Sequence, residues 1–168
     1  MELKTTKKYT IVSPEGIYIK GVRLEDIVGI HSFLRKEGCK ESENLFTDEE
    51  KAVSLDTIQI HRASISGASV ESSMDMLLCV YRNKIFLAEA KFRVENVRNL
   101  SKHEIDDKIK GTKDIVEDEI FQIMPIFYVL FSSTTLTQTR KNELKKKFLS
   151  SPRYQFKTAI EFYNLFEH

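Results

Sequence analysis

The sequence predicts a layered fold of the α/β or α+β class, in which helices pack on a β-sheet. The apolar pattern changes along the chain between the alternation typical of strands and the three-to-four-residue spacing typical of helices. The resulting order is strands, helix, three strands, helix, strand and helices. The chain has 168 residues, of which 41% are hydrophobic. This composition predicts one compact domain over residues 1–168 and argues against a disordered or fibrous protein.

The first third of the chain is predicted to hold a hairpin and a helix. Residues 1–20 contain two short strands, Tyr9–Val12 and Ile17–Lys20, with a Pro/Gly turn between them. From Leu24 the apolar residues fall on one helical stripe, which ends near Gly38. A polar stretch follows.

Three strands are predicted in the middle of the chain. The alternation of β-branched residues returns through Thr57, Ile58 and Ile60. Two further strands follow at Met74–Val80 and Ile85–Arg93. These two strands carry the residues on which the functional hypothesis depends.

The last part of the chain is predicted to hold helices around one buried strand. Ser101 to Glu104 has the form of a capping box and opens a helix. A buried strand is expected at Ile123–Phe131, which completes a core over residues 21–131. Two C-terminal helices, Arg140–Leu149 and Phe156–Phe166, then occupy residues 132–168. The apolar side of the helix after Ser101 is formed by Ile105, Ile109, Val116 and Ile120.

The tripeptide Glu89-Ala90-Lys91 places two charges in an apolar strand. The Glu-x-Lys pattern occurs four times in the chain, but the copies at Glu2, Glu49 and Glu143 lie in polar sequence, where a solvated face is expected. Only Glu89 follows a run of strand-forming apolar residues. Context therefore distinguishes this copy from the others.

The spacing of the two central strands predicts that Asp75 faces Glu89. If the strands form a hairpin around residues 81–83, residues whose numbers add up to 164 lie opposite each other. Opposed side chains have Cβ atoms about 4.5–5.5 Å apart, and Asn83 suits a left-handed turn position. A register shift of one residue would put the two acids on opposite faces.

Two converging carboxylates repel each other unless a cation or a shared proton compensates them. Carboxylate oxygens suit a hard divalent ion such as Mg²⁺, for which Mn²⁺ would substitute. Lys91 lies one pleat beyond Glu89 on the same side of the strand. This combination is what phosphodiester hydrolysis requires. The bland alternative is an exposed cross-strand ion pair without function.

The segment Ser73-Met74-Asp75, together with the segment Leu87 to Arg93, in which Glu89 follows Asp75 after thirteen residues, resembles the signature of the PD-(D/E)xK, or restriction-endonuclease-like, nucleases. The resemblance covers roughly residues 21–131, and Met74 stands where the family has proline. It implies an α/β restriction-endonuclease-like core with a mixed central sheet flanked by helices. It also implies that Asp75 and Glu89 bind Mg²⁺ and that Lys91 orients the attacking water.

The same resemblance suggests further site residues. The family often has a glutamate on its first core helix, for which Glu25 is the candidate, with Glu50 and Glu71 as competitors. It also often has a lysine or glutamine on the helix after Glu-x-Lys, where Lys108 and Lys113 flank the apolar face. We expect these two lysines and Arg93 to contact nucleic acid.

The sequence thus predicts a metal-dependent nuclease, with DNA as the expected substrate and a homodimer as a possible assembly by family analogy. The alternatives are an inactive nuclease-fold protein that serves binding, assembly or immunity, and a plain structural α+β domain. With 26 basic and 25 acidic residues, the net charge of +1 gives no global attraction for a polyanion, so nucleic-acid binding would depend on local basic clusters.

The cellular compartment is expected to be the cytoplasm. Cys39 and Cys79 lack CxxC spacing, and the segment from Met1 to Lys4 lacks the apolar stretch of a signal peptide. The longest apolar run, Ile123–Phe131, is far shorter than the ~20 residues of a membrane helix.

Overall fold

The computed structural model describes residues 8–41, 44–116, 121–149 and 153–168, and in these residues six strands form one sheet in the order β1 to β6. The strands are β1 (Ile27–Gly29), β2 (Lys51–Ser54), β3 (Met76–Val80), β4 (Lys84–Ala90), β5 (Gln122–Phe131) and β6 (Arg153–Thr158). The helices are α1 (Ile30–Lys36), α2 (Leu55–Ser66), α3 (Lys102–Val116), α4 (Gln138–Lys147) and α5 (Ala159–Tyr163).

The sheet is mixed. Strands β1 to β4 are antiparallel neighbours, whereas β4, β5 and β6 are parallel to one another. Each parallel pair is joined through a helix, α3 or α4, because parallel neighbours need a long crossover connection. The expected α/β architecture, a mixed central sheet flanked by helices, is confirmed at this level.

The sheet buries both of its faces. One face packs against α3, where Leu77 and Ile105 belong to the same hydrophobic cluster. The other face packs against α1 and α5, where Phe86 shares a cluster with Phe33 and Phe162. Because side chains alternate along a strand, odd-numbered residues of β3 and β4 point toward α3 and even-numbered ones toward α1 and α5. The side that carries Asp75 and Glu89 is therefore the α3 side.

The predicted N-terminal hairpin is wrong for the part of it that the structure describes. Tyr9 and Ile11 form isolated bridges with Phe166 and Val80 instead of pairing with residues 17–20. Between the two predicted strands, Pro14–Gly16 is a turn of 3-10 helix. Residues 1–7 of that prediction lie outside the described residues, as does Ile120 of the predicted α3 stripe.

The helix expected from Leu24 to Gly38 begins later. Leu24 to Asp26 form a 3-10 turn, in which the buried Asp26 carboxylate accepts the Arg23 N–H at 2.8 Å. Ile27–Gly29 then pair with β2. Part of the apolar stripe thus belongs to an edge strand, and α1 begins only at Ile30.

The strand expected at Thr57 to Ile60 is a helix, and the strand lies just before it. Ser54 ends β2 and caps α2, because its Oγ accepts hydrogen bonds from the Thr57 N–H and hydroxyl. Leu55 and Ile58 are buried three residues apart, as helical spacing requires, while Ile60 is 59% exposed. The cap and this spacing outweigh the β-branched composition.

The C-terminal segment was predicted as a helix from Phe156 to Phe166 and is instead a strand followed by a short helix. In β6, Phe156 and Thr158 are buried and alternate with half-buried neighbours. Thr158 then forms a capping box with Glu161 and starts α5. The sheet therefore continues past residue 131, whereas α3, β5 and α4 lie close to their predicted positions.

Candidate active site

The register of the β3–β4 hairpin agrees with the prediction. Met76 pairs with Ala88 and Leu77 with Leu87, so residues whose numbers add up to 164 are opposed. Asp75 directly precedes this ladder, and its Oδ2 accepts the Ala90 N–H at 2.8 Å. The turn has Asn83 at φ 59°, as predicted. This register thus places the Asp75 and Glu89 carboxylates at the same end of the hairpin.

Asp75 is a buried acid that the fold keeps close to neutral. Its pKa is raised from 3.8 to about 8, because burial disfavours the charged form and because Glu89 repels it. The hydrogen bond from the Ala90 N–H opposes only part of this rise. A cation placed beside the pair would favour the charged form of Asp75 and so oppose the effects of burial and of Glu89.

Glu89 is 1% exposed, and its two oxygens differ in their surroundings. Oε1 accepts a close hydrogen bond from Lys108 Nζ and lies 3.5 Å from Lys91 Nζ. Oε2 is buried and has no hydrogen-bond partner among the described residues. Burial raises the pKa of Glu89, and Lys108 and then Lys91 oppose that rise. One lone-pair direction of this carboxylate is thus left for a ligand that the described residues do not supply.

Two lysines and a glutamate enclose this pair of acids. Lys91 Nζ lies 3.4 Å from Glu104 Oε1, and Lys108 Nζ lies 3.9 Å from the same oxygen. Burial alone would lower the pKa of Lys108, but attraction to Glu89, Asp75 and Glu104 outweighs it and the pKa is raised. Lys108 is therefore a charged group beside the carboxylates, on the helix where the sequence placed it.

Helix α3 is fastened to the segment that leads into Asp75. The Thr112 hydroxyl accepts the Met74 N–H at 2.8 Å and donates to the Lys108 carbonyl at 2.7 Å. At Gly111 a Cβ would stand only 1.9 Å from the Ser72 carbonyl oxygen, so only glycine permits this approach. These contacts set the distance between Lys108 and the carboxylates.

The structure places Glu25 away from the predicted helix. It is exposed in the 3-10 turn before β1, and none of the contacts found in the described residues joins it to Asp75 or Glu89. Glu50 bonds to His168 and to the Thr47 N–H, and Glu71 is exposed in the loop before β3. The helical position of Glu25 is wrong, and its role in a site remains a prediction.

Two other acids, Asp56 and Glu37, are linked to the site by electrostatic repulsion. Asp56, in the first turn of α2, raises the pKa of Asp75. Burial and then the nearness of Asp56 raise the pKa of Glu37, at the end of α1. Asp56 is absent from the predicted site because a strand is expected over Thr57 to Ile60. A strand predicted to end at Ser54 would have placed Asp56 directly after a strand end. Asp56 would then have been a candidate for the site that contains Asp75.

Arg93 and Lys113, the other residues expected to contact nucleic acid, lie in different surroundings. Arg93 turns toward α1, where its Nη2 donates to the Lys36 carbonyl at 2.8 Å. Lys113 is exposed, and its Nζ lies 5.9 Å from the centre of the Phe127 ring. Of the three residues expected to contact nucleic acid, Lys108 alone reaches the carboxylates.

An open cleft of about 910 Å³ lies beyond the ends of β4 and β5. It begins at Phe92, directly after Lys91 in the chain. Asp75 and Glu89 do not line it. The lining residues are Arg35, Gly38, Cys39, Lys40, Glu41, Phe92, Arg93, Val94, Glu95, Ser132, Thr134 and Thr135.

The donor set suits a hard divalent ion with few protein ligands. Among the described residues, no group of three or more His, Cys, Asp or Glu side chains is arranged to hold a metal ion. Mg²⁺, however, is commonly bound by one or two carboxylates, with water and substrate phosphate as the other ligands. Asp75 and the unpartnered Oε2 of Glu89 fit that pattern, while Lys108 competes for Oε1.

Comparisons of the chain with protein-family models, curated proteins and solved structures return no match. Within the parts of the chain that are described, no helix has both the length and the apolar character needed to cross a membrane.

Proposed function

We propose that the chain is a metal-dependent nuclease of the PD-(D/E)xK type that hydrolyses phosphodiester bonds in DNA. The observation that carries the proposal is the buried pair of opposed acids, Asp75 and Glu89, with the Lys91 ammonium 3.5 Å from Glu89. Two acids in such a position raise each other's pKa and destabilise the fold when ionised. A cation offsets that cost, which gives the arrangement a physical purpose.

In this proposal Asp75 and Glu89 hold a Mg²⁺ or Mn²⁺ ion, which supplies Lewis acidity toward the scissile phosphate and water. Lys91 keeps its ammonium beside Glu89 and orients the attacking water by hydrogen bonding. Glu104, at 3.4 Å from Lys91 Nζ, holds that ammonium in place when the substrate is absent. Lys108 compensates the charge of Glu89 before metal binds.

Cleavage assays on plasmid, linear and branched DNA test the proposal. With Mg²⁺ or Mn²⁺ the wild-type protein should cut at least one of these forms, and EDTA should abolish cutting. Lys91→Ala should lower the rate by about 10²–10³-fold, the range that one preorganised hydrogen-bond donor contributes.

Lys110→Ala provides a matched control, because Lys110 is exposed on α3 and lines neither the acid pair nor the cleft. It should cut like the wild type. Absence of metal-dependent cleavage on every DNA and RNA form, from protein with a cooperative unfolding transition, would overturn the proposal.

A second candidate function is a nuclease-fold protein that no longer cuts and serves binding, assembly or immunity. The observation that favours it is the Lys108 ammonium on Glu89 Oε1, where it neutralises the acid without any metal. Titration with Mn²⁺ separates the two candidates. A nuclease gains thermal stability that disappears in Asp75→Asn and Glu89→Gln, whereas an inactive relative gains none.

A further inference from the structure

The open cleft of about 910 Å³ beyond the ends of β4 and β5 holds groups that the proposed chemistry does not use. Residues that follow the carboxyl ends of the parallel strands β4 and β5 form two of its walls. In open α/β sheets ligands bind outside the carboxyl ends of the strands. The cleft volume lies near the top of the range of about 300–1,000 Å³ that is usual for ligand pockets.

The polar groups of the cleft point to an anionic ligand. Arg35, Lys40 and Arg93 line it, and the first two are exposed side chains without a structural role in the sheet. Arg93 is fixed by its bond to the Lys36 carbonyl, so its guanidinium is oriented before any ligand arrives. On the opposite wall the Ser132 hydroxyl donates to the Thr135 hydroxyl at 3.0 Å and bonds with the Thr134 hydroxyl at 3.2 Å, and rotation of these hydroxyls would let them donate to phosphate oxygens.

Two acids also line the cleft, and they differ in their surroundings. Glu41 Oε1 accepts hydrogen bonds from the Ser133 N–H at 3.1 Å and from its hydroxyl at 2.5 Å. Its charge thus ties two walls of the cleft together instead of facing a ligand. Glu95 is exposed and repels an anion. Removal of the Glu95 charge should therefore strengthen anion binding, whereas removal of a basic charge should weaken it.

We propose that this cleft binds a single strand of nucleic acid through its phosphates, with Arg35, Lys40 and Arg93 as the contacting cations. The choice of nucleic acid among polyanions rests on the proposed function, because the cleft begins one residue after Lys91. A duplex would bury about 1,000–2,500 Å² of protein surface on an extended basic face, and a chain of net charge +1 with three cations in one cleft suits a single strand better. Phe92, the one aromatic among the described residues that line the cleft, is 7% exposed, so base stacking contributes little and binding is indifferent to sequence.

The experiment measures anisotropy of a fluorescein-labelled oligothymidylate in EDTA, so that binding is scored without cleavage. Three phosphate contacts on a single strand predict that log K falls with log salt concentration at a slope of about −2. Arg35→Gln with Lys40→Gln should weaken binding and make that slope shallower by about 1.4. Glu95→Gln should tighten binding.

The matched control is Arg62→Gln with Lys110→Gln, which removes the same charge from exposed positions of α2 and α3 outside the cleft. It should leave the slope unchanged. Equal losses in the two double variants, or tighter binding of a duplex of equal length than of the single strand, would overturn the inference.

Heparin as the preferred ligand in the same assay would overturn it as well. The outcome does not depend on the proposed nuclease activity. A protein that binds oligothymidylate through the cleft without cutting any DNA refutes the activity alone, and one that cuts DNA with both double variants unaffected refutes the cleft alone.

Discussion

At the scale of single residues, Asp75 carries a carboxylate that the folded chain holds away from water and beside a second acid. Its pKa of about 8, against an ordinary 3.8, means that the folded protein binds a proton where the unfolded chain has lost it. Stability therefore depends on pH, with a sign that follows from linkage. The contribution is complete below pH 3.8 and is lost as the pH rises toward 8.

The first prediction concerns this titration in metal-free protein. Between about pH 4 and pH 8, Asp75 alone should lower the free energy of unfolding by up to about 1.4 kcal/mol per pH unit. Asp75→Asn should flatten this dependence and be more stable than the wild type near pH 8. Urea unfolding in EDTA at a series of pH values measures it. A variant that follows the wild-type pH curve would show that Asp75 does not titrate in this range.

The second prediction concerns Lys108, which occupies the oxygen of Glu89 that a metal ion would otherwise share. Lys108→Met keeps the length of the side chain and removes its charge. Without metal it should cost about 1–3 kcal/mol, because the Glu89 carboxyl loses its bonded partner. With Mn²⁺ the midpoint of thermal stabilisation should fall to a lower metal concentration, because the competing ammonium is gone.

Lys113→Met is the control for this experiment, since Lys113 is exposed on the same helix and lies over the Phe127 ring. Its Mn²⁺ midpoint should equal that of the wild type. If Lys108→Met required more Mn²⁺ than the wild type, Lys108 would support metal binding and not compete with it.

At the scale of elements, α3 determines how the acid pair meets its cations. The helix approaches the strand leading to Asp75 so closely that Gly111 has no room for a Cβ beside the Ser72 carbonyl. Thr112 bonds the Met74 N–H at 2.8 Å from the same turn of the helix. Displacement of α3 would thus move Lys108 and Asp75 relative to each other.

The third prediction concerns the close packing of Gly111 against the Ser72 carbonyl. Alanine is favoured over glycine within a helix by about 1 kcal/mol, so Gly111→Ala would stabilise α3 if space allowed. Because the added Cβ would stand 1.9 Å from the Ser72 backbone oxygen, we expect a net loss of about 1–3 kcal/mol. Mn²⁺ binding should weaken because the segment that leads into Asp75 is displaced. Gly16→Ala, where nothing lies within 4 Å, should change stability by less than about 0.5 kcal/mol. Chemical unfolding of both variants checks this.

Elements with a strong local signal were predictable from the sequence. The β3–β4 hairpin has a short loop, so its register followed from counting residues, and α3 begins directly after the Ser101 cap that the sequence shows. The elements that failed lack such signals. Ile27 and Val28 suit either a helix or an edge strand, and only pairing with β2 decides between them. Thr57 and Ile58 favour a strand until the Ser54 cap is recognised.

The same distinction holds for the site. Asp75, Glu89, Lys91 and Lys108 lie on elements whose position the sequence determined, and the structure brings them together. Asp56 was missed because the strand that precedes it was predicted a few residues too late in the chain. The unpartnered oxygen of Glu89 is a property of three-dimensional packing that sequence spacing cannot show.

At the scale of the whole molecule, the sheet separates two cores, and the acid pair belongs to one of them. Phe86 lies on the side of α1 and α5, where its ring is 4.7 Å from that of Tyr9 and 5.5 Å from that of Tyr128. Its neighbour Leu87 points to the α3 side, like Glu89. Global stability and the geometry of the site should therefore respond differently to substitutions at adjacent positions of one strand.

The fourth prediction tests this separation. Phe86→Leu leaves a partly filled core on the side away from the site and should lower the free energy of unfolding by about 1–2 kcal/mol. Its Mn²⁺ midpoint should match the wild type, because none of the contacts found for Asp75 or Glu89 in the described residues involves Phe86. Leu87→Val, on the same strand, should lower stability and also weaken Mn²⁺ binding, because α3 settles toward the space that is left and carries Lys108 with it. If both variants shifted the Mn²⁺ midpoint equally, the two cores would be mechanically coupled, and the site would depend on the packing of the whole sheet instead of on α3.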